Sequence, residues 1–178
     1  GLYISNDGGT SSGYSPNSPA TTFAYRTFEI TEEGAYSISF DYNVLGEGSD
    51  WGVYDYADAL LAPASAEFTA SSEAYQIFIP DGCISLTDDS YLIGQYEWKS
   101  KTSLQQLTAG TYKLVFMWHN DDMTGEGSAA IDNVRIEKLS SSPSIAVSSS
   151  LEFPLTATGT SSIATLTIRN TGGGDLYI

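Results

Sequence analysis

The chain has 178 residues, of which 41% are hydrophobic and 12% aromatic, so it can form one full domain and part of another. Its 22 acidic residues outnumber 7 basic ones and give a net charge of −15. This charge excludes nucleic acid and anionic membrane surfaces as natural partners, and it favours divalent cations or neutral ligands.

Cys83 is the only cysteine, so no disulfide can form within the chain. An acidic chain rich in Gly, Ser, Thr and Tyr with almost no Cys is typical of an extracellular bacterial protein. The sequence has no leader peptide and no long apolar run, so we expect no membrane insertion. The predicted location is extracellular or at the cell surface, with any leader already removed.

The first half of the chain predicts short strands separated by turns. Residues 36–44 carry the clearest signal, because Tyr36, Ile38 and Phe40 alternate with serines, as in a half-buried antiparallel strand. The other signals, in chain order, are an apolar run at 2–5, a turn at 6–9, a loop at 10–21, a strand at 22–30, a turn at 46–49 and a strand at 51–56.

The second half of the first domain continues this pattern. Residues 57–74 are Ala-rich and predict a short helix or a loop, and strands are expected at 75–79, 97–107 and 112–118. A last strand covers residues 129–136. Short strands, Gly-rich turns and no convincing amphipathic helix predict an all-β fold, an antiparallel jelly-roll β-sandwich over residues 1–139.

The Ser- and Pro-containing stretch at 140–144 predicts a linker, and residues 145–178 resemble the start of an immunoglobulin-like β-sandwich. The tail strands expected at 145–147, 151–153, 163–168 and 176–178 are too few to close such a domain, which needs about 100 residues. Open sheet edges recruit other strands. We therefore predict that the tail pairs with a second copy, a separate fragment or the first domain.

Asp132 is the most informative acidic residue. Regular alternation over residues 129–136 would place it on the same face as Ala130, Val134 and Ile136, an otherwise apolar face. A core-facing carboxylate is costly unless it is paired, hydrogen-bonded or bound to metal, which predicts a structural Ca²⁺ ligand. The alternative is an Asp that only accepts backbone N–H bonds at a strand end.

Asp7 is a second candidate calcium ligand. It lies in an Asn-Asp-Gly-Gly turn at a strand end, where it either binds metal or caps its own backbone in an Asx turn. Hard oxygen ligands from several loops would suit Ca²⁺, which takes six to eight oxygens.

Aromatic residues outside the apolar stripes are candidates for ligand binding. Trp98 lies between Glu97 and Lys99 and is the best placed to stack on a sugar ring, although an ordinary packed Trp is the alternative. Tyr14 and Tyr91 lie in polar stretches and could line a groove. Trp118 shares a face with Leu114 and Phe116 and is predicted to lie in the core.

The sequence predicts no catalytic centre. His119 is the only histidine, and no nucleophile-elbow glycine pattern or zinc-ligand spacing accompanies it. We interpret His119 as a surface residue at a strand end, and Cys83 as a small buried hydrophobe.

Residues 1–138 resemble the cleaved-adhesin or choice-of-anchor family of surface proteins from Bacteroidetes-type bacteria, which includes the adhesin regions of gingipain proteases. The resemblance rests on the order of short motifs at residues 2–10, 24–26, 36–42, 110–116 and 130–134. It implies a jelly roll related to MAM and carbohydrate-binding modules, often with bound calcium. Family members usually carry further residues, including strands, before the first motif, so we expect that the domain lacks an edge or that an N-terminal piece is a separate chain. The tail, with its Asn170-Thr171-Gly172 turn, resembles an abnormal-spindle/hydin-type domain.

The sequence therefore predicts a non-catalytic extracellular module for adhesion or carbohydrate binding, whose partner is a glycan or a host or matrix protein. The alternative is an accessory domain of a secreted peptidase or glycoside hydrolase whose catalytic domain lies outside this chain.

Overall fold

The structure, a computed structural model, describes the chain except residues 6, 11–17, 50–51, 74–75, 89, 95–96, 122, 124–125, 141–142, 148–149, 173 and 175–178, and describes the backbone alone at 126–128. Ten strands and no helix are present in the described residues. The strands are β1 (Leu2–Tyr3), β2 (Ala20–Ile30), β3 (Gly34–Ser49), β4 (Gly52–Pro63), β5 (Ile84–Ser85), β6 (Lys99–Leu107), β7 (Gly110–Asn120), β8 (Glu126–Lys138), β9 (Ile145–Val147) and β10 (Ile168–Asn170).

The first eight strands form one curled antiparallel sheet in the order β1-β8-β3-β4-β7-β2, with β6 on β3 and β5 on β4. The long strand β3 makes the curl possible. Its first part pairs with β8 and β6, and its last residues pair with β4. We call β1, β8, β3 and β6 the front layer, and β2, β7, β4 and β5 the back layer. The predicted all-β sandwich is confirmed.

The core lies between the two layers. The alternating residues of β3 supply Ile38, Phe40 and Val44, each at most 1% exposed, as the sequence pattern predicts. Phe40 meets Phe116 of β7 edge to face, with ring centroids 5.1 Å apart. This geometry suits the quadrupoles of two aromatic rings and fixes the spacing of the layers.

Strand β4 of the back layer is buried on both faces, which corrects two expectations for residues 57–79. Every residue of β4 from 55 to 62 is buried, because Ala66, Phe68, Ile79 and Cys83 cover the outer face of β4 and β7. Lys113 Nζ helps to hold this cover by donating a 2.6 Å hydrogen bond to the Ala66 carbonyl oxygen. The Ala-rich stretch therefore continues a strand through Pro63 instead of forming a helix or a loop from residue 57. The strand expected at 75–79 is also wrong, since residues 76–79 belong to the irregular cover.

The turn predicted at 46–49 is wrong as well, because β3 continues to Ser49 as one arm of a hairpin with β4. Gly46 has φ +57°, and an added Cβ would lie only 2.2 Å from the Asp55 carbonyl oxygen. Gly46 is therefore needed because β3 comes very close to β4 at this position, and not because the chain turns there.

The tail forms a small antiparallel sheet of its own from β9 and β10. Residues 151–153 are not a strand, the strand expected at 163–168 is reduced to β10 at Ile168–Asn170, and residues 176–178 lie outside the described part. Leu155 and Ile163 are at least 90% exposed. Pairing of the tail with another chain or fragment stays a prediction.

Candidate functional site

Asp132 does not face the core, so the reason given for its metal role is wrong. Its side chain is 52% exposed, whereas its neighbour Ile131 is 4% exposed. The cause is a bulge. Between the pairs Asp41–Asp132 and Ser39–Arg135, β8 has one residue more than β3. An extra residue reverses the side-chain alternation, so regular parity along this strand fails.

Asn133 makes the bulge possible, because its φ of +49° is a left-handed conformation that Asn tolerates better than most residues. The Asn133 N–H donates a 2.8 Å hydrogen bond to Asp132 Oδ1, and the Gly1 nitrogen lies 3.6 Å from the same oxygen. Asp132 thus accepts a backbone N–H bond, as the alternative to metal binding in the sequence analysis describes.

Asp7 is exposed and its Oδ1 accepts hydrogen bonds from the Thr10 N–H, at 2.9 Å, and from the Ser5 hydroxyl. These are Asx-turn contacts. Within the described residues, no three His, Cys, Asp or Glu side chains are grouped to hold a metal ion. Calcium at Asp132 and Asp7 stays a prediction.

The aromatic candidates lie in different places. Trp118 is 3% exposed and lies in the core, as predicted, whereas Trp98 is 53% exposed. Tyr91 is 46% exposed, but its ring packs on Tyr56 of β4 at a centroid distance of 3.9 Å. Tyr14 lies outside the described residues. Among the described ligand-binding candidates, Trp98 is therefore the most exposed to solvent.

A polar groove of about 340 Å³ lies on the outer face of the front layer, across β3, β6 and β8. Its polar lining residues are Ser39, Asp41, Ser100, Thr102, Asn133 and Arg135. Asp41 is held by two hydrogen bonds, from Ser100 Oγ at 2.5 Å and from Asn133 Nδ2 at 2.7 Å. These bonds lower the pKa of Asp41, with a further contribution from Arg135, so the groove contains a fixed carboxylate beside a guanidinium.

Trp98 lies two residues before Ser100, which lines this groove. It directly precedes β6, and the strand's alternation, extended by one residue, predicts the same face as Ser100, about 7 Å away along the chain. Ser100 pairs with Asp41 across β6 and β3. An exposed indole is thus close along the chain to the hydrogen-bonded pair of Ser100 and Asp41.

His119 is not the surface residue that the sequence suggested, because it is 4% exposed. Its Nδ1 lies 2.8 Å from Thr21 Oγ1, and its ring lies against Tyr56 at 5.2 Å. Burial lowers the pKa of His119, although Asp121 opposes this effect, so the imidazole is neutral at pH 7. Thr21 is itself 1% exposed, so no substrate reaches this hydrogen-bonded pair from solvent.

The sequence analysis missed a pair of acids, of which Asp55 is buried and Glu47 is half-buried. Glu47 and Asp55 are direct partners across β3 and β4, and Asp55 is fully buried. Asp55 Oδ1 accepts a 3.1 Å hydrogen bond from the Asp121 N–H. Burial raises the pKa of Asp55 to about 6, and the nearby carboxylates of Asp121 and Glu47 contribute. A signal was available, because Asp55 has the same parity as the inward residues Ala57 and Ala59.

An open apolar seam runs between the edge of β2 and strands β1 and β8. Two cavities of about 630 and 470 Å³ lie along it, lined among others by Leu2, Ala24 and Phe116. The seam is lined mainly by apolar side chains, unlike the polar groove, and it lies on the inner side of the front layer.

No helix among the described residues is long and apolar enough to cross a membrane. Comparison with models of known protein families gave no match to this chain, and comparison with curated proteins gave none either.

Proposed function

We propose that this protein is a non-catalytic, extracellular carbohydrate-binding or adhesion module, and that it binds a neutral glycan at the polar groove with Trp98 as the stacking platform. The observation that carries the proposal is the exposed indole of Trp98 two residues before Ser100, which belongs to the Ser100–Asp41–Asn133 hydrogen-bond chain. The resemblance of residues 1–138 to the adhesin-type family also supports it.

The chemistry of the groove suits a sugar. A sugar ring has an apolar face that packs on an aromatic ring and a rim of hydroxyls that both donate and accept hydrogen bonds. The groove offers an ionised acceptor at Asp41, the donor fork of the Arg135 guanidinium and a hydroxyl at Thr102. Because the hydrogen bonds to Asp41 already fix its position, a ligand loses less affinity to the ordering of side chains.

The net charge of −15 also favours an uncharged ligand over an anionic one. The non-catalytic part of the proposal is supported by the burial of His119 and Thr21. A triad-type mechanism needs that histidine within reach of a substrate.

A glycan array with matched aromatic variants tests the proposal. The wild-type protein should bind a limited set of neutral glycans, and Trp98→Ala should weaken that binding about tenfold or more, equivalent to about 1.4 kcal/mol. Phe78→Ala is the control, because Phe78 is 77% exposed but is not one of the residues that line the polar groove. An array without hits would refute glycan binding, and equal losses in both variants would refute the assignment to Trp98.

Asp41→Asn tests the polar half of the groove. The amide keeps the shape of the side chain but removes the charge that strengthens its hydrogen bonds. We expect weaker glycan binding with an unchanged melting temperature. Unchanged binding in this variant would exclude Asp41 from the site.

A further inference from the structure

The side chains that line the polar groove form two rows across the front layer. The first row runs over β6, β3 and β8 and consists of Ser100, Asp41 and Asn133. The second row crosses the same strands two residues away along β3 and consists of Thr102, Ser39 and Arg135. Residues two apart on one face of a strand are about 7 Å apart, so the groove extends over both rows.

The two rows differ in how their polar groups are bonded. In the first row, Ser100 Oγ donates to Asp41 Oδ1 and Asn133 Nδ2 donates to Asp41 Oδ2. A carboxylate has about four acceptor sites, so each oxygen of Asp41 can accept a further hydrogen bond. In the second row, no hydrogen bond or ion pair joins the side chains to another described residue. The donors of the second row are therefore available to a ligand.

Arg135 and Asp41 are diagonal neighbours on this face. Arg135 pairs with Ser39, and Asp41 follows Ser39 by two residues along β3. The two side chains form no direct ion pair, although Arg135 is near enough to help lower the pKa of Asp41. A ligand that bridges them needs a donor for Asp41 and, next to it, an acceptor for Arg135. Two adjacent hydroxyls of a sugar supply both, because each hydroxyl can donate and accept.

We propose that the groove selects neutral glycans by a pair of adjacent free hydroxyls, one of which donates to Asp41 while its neighbour accepts from Arg135. This inference rests on the proposed function and names the class of glycan that the groove takes. Hydrogen bonds to a carboxylate and a guanidinium are stronger than bonds between neutral groups, so they carry the selectivity. A glycan whose adjacent hydroxyls are methylated has no proton for Asp41, and selection against a ligand that lacks a required donor is strong.

NMR titration of the full ¹⁵N-labelled chain tests the hydroxyl pair. The probes are the methyl glycosides of glucose, galactose and mannose, each compared with its fully O-methylated form. At least one glycoside should shift the Arg135 Nε–H resonance, and its O-methylated form should leave this resonance unchanged. Equal shifts with both forms would overturn the inference and leave glycan binding in place. No shift at Arg135 with any glycoside would also overturn it, whereas the glycan array, which presents larger glycans, tests the proposed function separately.

Matched arginine variants test the donor. Arg135 and Arg26 are both exposed, but Arg26 lines the apolar seam and not the polar groove. Arg135→Gln should weaken binding of the glycoside that shifts Arg135 most by about tenfold, and Arg26→Gln should leave it unchanged. Arg135→Lys should recover only part of the loss, because Lys keeps the charge but lacks the planar fork. Wild-type affinity in Arg135→Gln, or equal losses in Arg135→Gln and Arg26→Gln, would overturn the proposal.

Discussion

Replacing Asp55 with Asn should stabilise the metal-free protein at neutral pH. The side chain is fully buried, and burial raises its pKa from 3.8 to about 6. A rise of about two pKa units corresponds to about 3 kcal/mol lost from the free energy of unfolding once the carboxyl ionises. Asn keeps an acceptor for the Asp121 N–H, and its amide can donate to Glu47 in place of the unpartnered oxygen.

The sign of the pH effect follows from proton binding. Between about pH 4 and 6 the folded state holds a proton on Asp55 that the unfolded state has already released. The stability contributed by the protonated carboxyl is therefore present at pH 4 and is lost as the pH rises through 6. Asp55→Asn lacks this proton, so the variant should gain about 3 kcal/mol relative to wild type between pH 4 and pH 7.

Urea unfolding in chelator, followed by tryptophan fluorescence at several pH values, measures this difference. Comparing the variant with the wild type at each pH cancels contributions from His119 and the other titrating groups. The m-values should agree between the two proteins, so that the difference reports stability alone. A stability difference that stays constant from pH 4 to 7, or an Asn variant less stable at pH 7, would refute the reasoning.

Three further predictions follow from single residues. Gly46→Ala should cost about 1–3 kcal/mol more in urea unfolding than Gly8→Ala, because both glycines have positive φ but only Gly46 lies against another backbone. Equal costs would remove the close approach as an explanation. Trp118→Ala should cost about 3–5 kcal/mol, whereas Trp98→Ala should change stability by less than about 0.5 kcal/mol, and similar losses would contradict their different burial. NMR titration should place the pKa of His119 below that of a free histidine, so this residue should contribute a loss of stability as the pH falls below about 6.5. An elevated value would show that Asp121, and not burial, dominates.

The all-β fold could be predicted where strands are buried on one face only. Ile38, Phe40 and Val44 alternate with polar residues because the other face of β3 meets solvent. This logic fails for β4, whose two faces are both covered, so that its burial runs without a break and gives no period-two signal. The Ala-rich composition of that strand then suggested a helix or a loop.

The site could be predicted only in part, since its details depend on register. The charged residues on either side of Trp98 are a local signal of solvent exposure, and the side chain of Trp98 is exposed. The orientation of Asp132 depends on an extra residue in β8 opposite β3, which the sequence of β8 alone does not reveal. In the same way, Glu47 and Asp55 become neighbours only through hairpin pairing, so the pairing of the two acids could not be seen before the register was known.

The most direct test of the central claim is NMR mapping of a glycan that binds in the array. Titration into the isotope-labelled protein should shift the indole resonance of Trp98 and the amides along the outer face of β3, β6 and β8 around Asp41 and Ser100. Shifts that instead cluster along the apolar seam between β2 and β8, or the absence of any glycan that binds, would contradict the proposed function.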